Sequence, residues 1–331
     1  GEALVPGAEG ARLAEIVRSR DAVADVFKQW LDQRKDDFTW VVFTATDRVQ
    51  HFFWSMMDPK HPYYTPELGR DYGEAIHEFW KGMDKRIGEI VAKLPPDATV
   101  MVISDHGFGP IYRELNTANW FKSTPLNDYV KTHQVPDMYI TNGIFRYRLG
   151  TNYPMNANYD IFRDMYIKEA DAIVDPATGK RPVERVMKRE DLFVGRNLEK
   201  APDLVMIEAP DYYVGPGDPA QNLDPVTPLH STSYSAYHRP NGIFIIKGPG
   251  IIQGKLEGAS LLDVAPTALY LMGQAVPNDM EGRVLKAVFS PERLKKEPPT
   301  YTDGKTVLTN QPERVLSPAE REQLNSVPYI K

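Results

Sequence analysis

The chain has 331 residues and carries 39 Lys and Arg against 45 Asp and Glu, a net charge of −6, with 42% hydrophobic residues. This composition is that of a globular protein, and its mild acidity argues against binding to duplex nucleic acid, which needs clustered Lys and Arg. There is no cysteine, so disulfides, thiol catalysis and cysteine-ligated zinc or iron–sulfur sites are excluded.

The first third of the chain alternates predicted helices with predicted strands. Apolar residues near a 3.6-residue period predict helices over 11–34 and 72–94. The short apolar runs at 38–44 (F-T-W-V-V-F-T) and 99–104 (T-V-M-V-I-S) predict strands buried on both faces. Such alternation is typical of parallel strands with crossover helices. We therefore expect an α/β fold with a mostly parallel sheet and helices on both faces.

The rest of the chain is less regular. We expect one α/β domain over 1–285, with an insertion at about 116–200, and a surface tail over 286–331 with a short helix after Ser317. Further predicted elements are a helix over 160–174, a turn over 175–179, strands over 203–208 and 242–247, and a helix through Leu271 opened by a capping box of Ser260 and Asp263.

Three segments place carboxylate or imidazole groups beside predicted strands, where open sheets form their sites. In T-D-R-V-Q-H, Asp47 and His51 are four residues apart, which puts them on one side of a helical turn where they can share a divalent metal. The alternative is a helix cap and a surface histidine. In I-S-D-H-G, Asp105 and His106 leave a strand together, and the alternative there is a simple Asx turn.

The third segment, Y-H-R-P-N-G, contributes His238 just before a predicted strand, and Arg239 beside it could hold a phosphate oxygen. His238 by itself could be a loop histidine packed on Tyr237. Taken together, the three segments offer two carboxylates and three histidines, which is enough for a two-metal site that clamps the oxygens of a phosphoryl transfer. Nitrogen and oxygen ligands without sulfur suit zinc, manganese or iron.

The sequence also resembles a known family, the alkaline phosphatase superfamily, and within it the type I phosphodiesterase/nucleotide pyrophosphatase branch with its predicted phosphohydrolase/phosphomutase group. The resemblance covers about 37–285. It is carried by T-D-R-V-Q-H-F-F-W-S-M-M-D-P-K-H-P, S-D-H-G-F, D-P-A-T-G-K, A-P-D-L-V, H-R-P-N-G-I-F-I-I-K-G-P-G and D-V-A-P-T-A-L-Y-L-M-G.

The resemblance implies two divalent ions, zinc or alternatively manganese or iron. Asp47, His51 and His238 would hold the first ion, and Asp105 and His106 would hold part of the second. The family's remaining ligand, an aspartate, and its Thr or Ser nucleophile lie well upstream of T-D-R-V-Q-H, and no matching turn is found before that motif here. We therefore expect the chain to be the C-terminal part of a protein whose N-terminal part completes the site, and to be nearly inactive alone.

The implied function is hydrolysis of a small phosphate ester, most simply a diester, by in-line transfer to that nucleophile. A phosphomutase or phosphomonoesterase of the same superfamily is one alternative, and a non-catalytic metal-binding domain is another. His230 in a Ser- and Tyr-rich loop is a candidate substrate contact or a replacement for His238 as ligand. No apolar run is long enough to predict a membrane span. The location stays open, with the cytoplasm slightly favoured.

Overall fold

A computed structural model gives the fold and describes residues 7–133, 157–194, 198–217, 224–230 and 234–303. The chain divides into two compact units. The first unit consists of residues 1–7, 50–76 and 108–237, and the second of residues 8–49, 77–107 and 238–331. Each unit is therefore built from separate stretches of sequence.

The described residues form a mixed α/β structure. The helices are α1 (Glu9–Gln33), α2 (Ala45–Met57), α3 (Pro66–Tyr72), α4 (Ala75–Val91), α5 (Thr117–Lys122), α6 (Pro125–His133), α7 (Ala157–Asp171), α8 (Arg189–Leu192), α9 (Val264–Leu271) and α10 (Pro291–Lys296). The strands are β1 (Val100–Ile103), β2 (Gly107–Asn116), β3 (Val183–Lys188), β4 (Leu204–Glu208), β5 (Asp211–Gly215), β6 (Val226–Pro228), β7 (Ala236–Arg239), β8 (Phe244–Lys247), β9 (Val276–Pro277) and β10 (Tyr301–Thr302).

The first unit is organised around β2. This strand pairs in parallel with β5 and antiparallel with β6, and β7 also pairs with it. A second sheet joins β3 and β4 antiparallel. The core between these elements contains the fully buried rings of Phe162, Tyr166 and Tyr212, packed with Leu115 and Leu204. Burial of such large apolar groups is the main source of stability for this unit.

The second unit contains a small sheet in which β1 pairs antiparallel with β8, with Ile103 opposite Phe244. Short strands β9 and β10 pair in parallel. Helices α1 and α4 are joined by charged groups: Arg20 donates to the Phe79 carbonyl oxygen at 2.9 Å, and Arg86 Nε lies 2.9 Å from Asp21 Oδ1. Half-buried ion pairs of this kind add to the apolar contacts between helices rather than replacing them.

One prediction about the sheet is wrong, and another is not confirmed. Residues 38–44 form no strand, and alternate large residues are exposed, since Phe38 is 49%, Trp40 56% and Val42 60% accessible. An apolar, β-branched run forms a strand only when a partner edge is available, and among the described residues none pairs with it. The prediction of a mostly parallel sheet is not confirmed, because β1–β8, β2–β6 and β3–β4 are antiparallel.

Most helix predictions are confirmed. The first helix runs over Glu9–Gln33, the helix predicted over 160–174 is α7, and the Ser260–Asp263 capping box is present ahead of α9. The helix predicted over 72–94 is α4, which runs over Ala75–Val91, and the separate short helix α3 ends before it at Tyr72. Within the described ranges, no helix is both long and apolar enough to cross a membrane.

The predicted boundary at residue 285 does not coincide with the end of packing. Val288 and Phe289, placed in the surface tail by the sequence, are buried with Val284 and Leu285 in one apolar cluster of the second unit. Residues 286–303 also form α10 and β10. The short helix expected after Ser317 lies outside the described residues.

A buried carboxylate fixes the D-P-A-T-G-K turn in the first unit. Asp175 has no solvent exposure, and it accepts hydrogen bonds from Arg113 Nη2 at 2.9 Å and Tyr212 Oη at 2.8 Å. Thr178 Oγ1 and the Ala177 amide also donate to it. Burial alone would raise the pKa of Asp175, but these donors favour the charged form more strongly, and the net effect lowers its pKa below 3.8.

We predict that Asp175→Asn lowers the free energy of unfolding by about 3 kcal/mol, because Arg113 is left with an uncompensated, largely buried charge. The stabilisation by Asp175 should be complete above about pH 5 and decline as the pH falls toward the lowered native pKa, because the unfolded state then binds the additional proton. Urea unfolding at pH 7 and pH 3 measures both effects.

The matched control is Asp171→Asn, which removes an exposed pair with Arg181 in the same unit. Exposed pairs contribute about 0–1 kcal/mol. Equal losses for the two variants would contradict the role assigned to Asp175.

Candidate metal centre

Three segments of the second unit bring a carboxylate and two imidazoles together. Asp47 lies in the first turn of α2, His106 follows β1, and His238 lies in β7. Their ligand atoms all fall within 4.8 Å of one another. Residues 47, 106 and 238 are far apart in sequence, so the fold and not local chain geometry creates this group.

Asp47 is the common neighbour in the group. Its Oδ1 lies 3.1 Å from His238 Nε2 and 3.7 Å from His106 Nε2. The two imidazole rings stack with their centroids 3.7 Å apart and an angle of 23° between their planes. The side chains of Asp47 and His238 are 36% and 40% exposed, so an ion can reach them from solvent.

The ring nitrogens of His106 have different surroundings. Nδ1 lies 3.1 Å from the Gly107 carbonyl oxygen, a contact that places the proton on Nδ1. Nε2 then carries the lone pair and faces Asp47 Oδ1 and, at 3.5 Å, Asp105 Oδ1. A histidine that donates through one nitrogen and presents the other is the usual arrangement for a metal ligand. Asp105 itself is 75% exposed at the edge of the group.

His51 belongs to the first unit and is buried there. Its Nδ1 lies 2.8 Å from the Ala236 carbonyl oxygen, and its ring stacks on Tyr234 with a centroid distance of 4.2 Å. The amide and hydroxyl of Ser235 both donate to the His51 carbonyl oxygen, at 2.7 and 2.9 Å. These contacts fix the ring and assign the proton to Nδ1, which leaves Nε2 in the form that binds metals.

Of the residues predicted to form the site, the structure thus groups Asp47, His106 and His238 directly, with Asp105 adjacent to His106. One carboxylate and two imidazoles are a donor set that zinc, manganese and iron accept, and three protein ligands leave coordination positions for a substrate. The residues present therefore fit a divalent metal ion.

Residues 8–226 match the model of the type I phosphodiesterase/nucleotide pyrophosphatase family. The chain belongs to this family. The match confirms the resemblance found in the sequence at the level of the superfamily, and it ends before His230, His238 and Arg239. A search among curated proteins finds no match.

In this member of the type I phosphodiesterase/nucleotide pyrophosphatase family, the two residues predicted to contact substrate, Arg239 and His230, both have hydrogen-bond partners within the protein. Arg239 follows His238 directly, and its Nη1 donates to the His238 carbonyl oxygen at 3.2 Å. In the first unit, His230 Nδ1 lies 3.1 Å from both Thr227 Oγ1 and the Pro228 carbonyl oxygen, and 3.4 Å from Glu114 Oε2.

No sequence pattern singles out Glu114, which contacts His230. This carboxylate is fully buried, and it lies in β2 between Leu115, which faces the core, and Arg113. Because the end of β2 is buried on both faces, the alternation of apolar and polar residues that usually separates inward from outward positions is absent. From sequence alone, a glutamate at this position would be predicted to lie on the surface. The structure shows instead that it contacts His230.

Another histidine, His61, is structural. His61 is buried, its Nε2 contacts the Ser235 carbonyl oxygen at 2.9 Å, and its Nδ1 accepts from the Tyr63 amide at 3.0 Å. Burial lowers the pKa of His61, which keeps its ring neutral. Both nitrogens are therefore used within the fold.

We predict that Asp47→Asn weakens binding of Zn²⁺ by about tenfold or more, because it removes the charge that faces both imidazoles. Competition with a chelating dye measures the Kd. The control is Asp84→Asn, an exposed carboxylate of α4 in the same unit, which should leave the Kd unchanged. Identical Kd values for both variants and the unsubstituted chain would show that Asp47 is not a ligand.

Proposed function

We propose that this chain forms the metal-binding part of a phosphoric-ester hydrolase that cleaves phosphodiesters or nucleotide pyrophosphates. Membership of the type I phosphodiesterase/nucleotide pyrophosphatase family supports this reaction class. The observation that carries the proposal is the convergence of Asp47, His106 and His238, whose ligand atoms lie within 4.8 Å of one another.

We assign Asp47, His51 and His238 to a first metal ion and Asp105 and His106 to a second. The one-turn spacing of Asp47 and His51 on α2 and the Nδ1 contact of His51 support the first set. The 3.5 Å contact between Asp105 and His106 supports the second. Asp47 contacts both histidines of the group, as expected for a carboxylate at the centre of two neighbouring sites.

The chemistry follows from these assignments. Zinc, or alternatively manganese or iron, when bound would polarise a phosphoryl oxygen and lower the pKa of the attacking hydroxyl. The oxygen of a Thr or Ser hydroxyl forms a bond to phosphorus in line with the bond that breaks, and the leaving alkoxide takes up a proton. Water then cleaves the phospho-enzyme and restores the hydroxyl. Arg239 is suited to hold a non-bridging phosphate oxygen through its guanidinium donors.

His230 is assigned a role at the substrate. Its Nδ1 faces three acceptors, namely Thr227 Oγ1, the Pro228 carbonyl oxygen and the buried carboxylate of Glu114. A proton on Nδ1 leaves Nε2 as the acceptor nitrogen of a side chain that is 39% exposed. Such a carboxylate–imidazole pair holds the ring in one tautomer.

We propose that the nucleophile and the remaining ligand come from an N-terminal part of the same protein. An open groove with a volume of about 1970 Å³ in the second unit supports this assignment. It is lined by the exposed segment 38–43, by α4 and by β1. Among the described residues, β1 pairs only with β8, so its other edge can accept a further strand.

The His51 assignment has a test that preserves the fold. In His51→Asn the side-chain amide can still donate to the Ala236 carbonyl oxygen, whereas the atom corresponding to Nε2 is removed. We predict about a tenfold higher Kd for Zn²⁺ with little change in Tm. An unchanged Kd would remove His51 from the ligand set, and a fall in Tm with an unchanged Kd would assign it a purely structural role.

The catalytic proposal is tested with two chromogenic esters, bis(p-nitrophenyl) phosphate and p-nitrophenyl phosphate, in the presence of Zn²⁺ or Mn²⁺. We predict that a longer protein with its N-terminal part hydrolyses the diester, and that the 331-residue chain alone is slower by about a thousandfold or more, because in this proposal the N-terminal part supplies the nucleophile. Equal diester hydrolysis by the short chain would refute the assignment of the nucleophile.

The same assay separates the alternatives. Turnover of the monoester without the diester would favour a phosphomonoesterase or phosphomutase. Metal binding without turnover of either ester by the longer protein would favour a non-catalytic metal-binding domain.

A further inference from the structure

The two chain segments that carry His106 and His238 are joined by an additional pair of hydrogen bonds just beyond the β1–β8 ladder. The last paired residues of that ladder are Ile103 and Phe244. One residue further, the Ser104 amide donates to the Ile243 carbonyl oxygen at 3.1 Å. The Ile243 amide donates in return to Ser104 Oγ at 2.8 Å. The serine hydroxyl thus replaces a backbone carbonyl and extends the pairing by one residue.

Two glycines allow the same segments to approach each other closely. A Cβ atom on Gly242 would overlap Ser104 Oγ, and a Cβ atom on Gly107 would overlap the Asn241 carbonyl oxygen. Any side chain at either position would therefore push the segments apart. Close backbone contact on both sides of the Ser104–Ile243 hydrogen bonds leaves little freedom in the distance between the segments.

This contact lies next to the metal-binding groups. His106 is two residues after Ser104, and His238 is five residues before Ile243. The rings of these histidines stack at a centroid distance of 3.7 Å. Because imidazole ligands must be held at a fixed separation to bind one pair of ions, whatever sets the spacing of the two segments also sets the metal affinity.

We infer that Ser104 is a positioning residue for the metal centre, which acts through His106 and His238 by locking their two segments together, with Gly107 and Gly242 providing the necessary space. The inference rests on the proposed metal site. It concerns residues that flank the ligands and do not contact the ion. The donor to Ser104 Oγ is the amide of Ile243, whose side chain is 48% exposed. Water can therefore replace the serine hydroxyl, and we expect Ser104→Ala to fold.

The test compares Ser104→Ala with Ser104→Thr, which retains a hydroxyl. We expect Ser104→Ala to raise the Kd for Zn²⁺ about tenfold and to change the visible absorption spectrum of the Co²⁺-loaded chain, since that spectrum reports ligand geometry. Ser104→Thr should restore both properties. Gly242→Ala tests the same contact from the other segment and should also raise the Kd.

The control is Ser260→Ala, which removes a serine that accepts from the Leu262 amide at the capping box before α9. We expect it to lower Tm while leaving the Kd and the Co²⁺ spectrum unchanged. If Ser104→Ala and Gly242→Ala likewise lower Tm but leave the Kd and the Co²⁺ spectrum unchanged, the inference is wrong and the proposed metal site stands. If the unsubstituted chain binds neither Zn²⁺ nor Co²⁺, both the metal site and the inference fail.

Discussion

The carboxylate of Asp47 faces two imidazoles at once, with its Oδ1 at 3.1 Å from His238 and 3.7 Å from His106. The two imidazole rings stack at a centroid distance of 3.7 Å, and the ligand atoms of the three residues lie within 4.8 Å of one another, close enough to bind one divalent ion. The chain brings them together from the first turn of α2, the segment that follows β1, and β7. The function proposed for the protein depends on this convergence, because none of the three segments would hold a metal by itself.

The backbone next to these side chains is held by hydrogen bonds and close contacts. Reciprocal hydrogen bonds between Ser104 and Ile243, with glycines where the segments touch, fix the distance between the two segments that carry His106 and His238. In the first unit, Ser235 and Ala236 hold His51 in a similar way. The Ser235 hydroxyl donates to the His51 carbonyl oxygen, and His51 Nδ1 contacts the Ala236 carbonyl oxygen. In both places, hydrogen bonds to the backbone hold the segment that carries an imidazole and so help to orient the ring.

Three of the five residues predicted as ligands, namely Asp47, His106 and His238, lie together in the structure, whereas one predicted strand does not form. The spacing of Asp47 and His51 and the adjacent Asp105 and His106 are local patterns, so they can be read without the fold. The exposed segment 38–44 has the composition of a buried strand, but composition does not say whether a partner edge is present, and the prediction was wrong. Ser104 and Glu114 could not be singled out, because their importance lies in contacts with residues more than 100 positions away.

The exposed segment 38–44 also affects the tryptophan fluorescence of the protein. Trp40 is 56% exposed, whereas the other four tryptophans of the chain, at positions 30, 54, 80 and 120, are half-buried or buried. An indole in water emits at longer wavelength than one in an apolar environment. Because Trp40 lines the groove beside β1, the wavelength of maximum tryptophan emission reports whether that groove is covered. The measurement needs no label and no catalytic turnover.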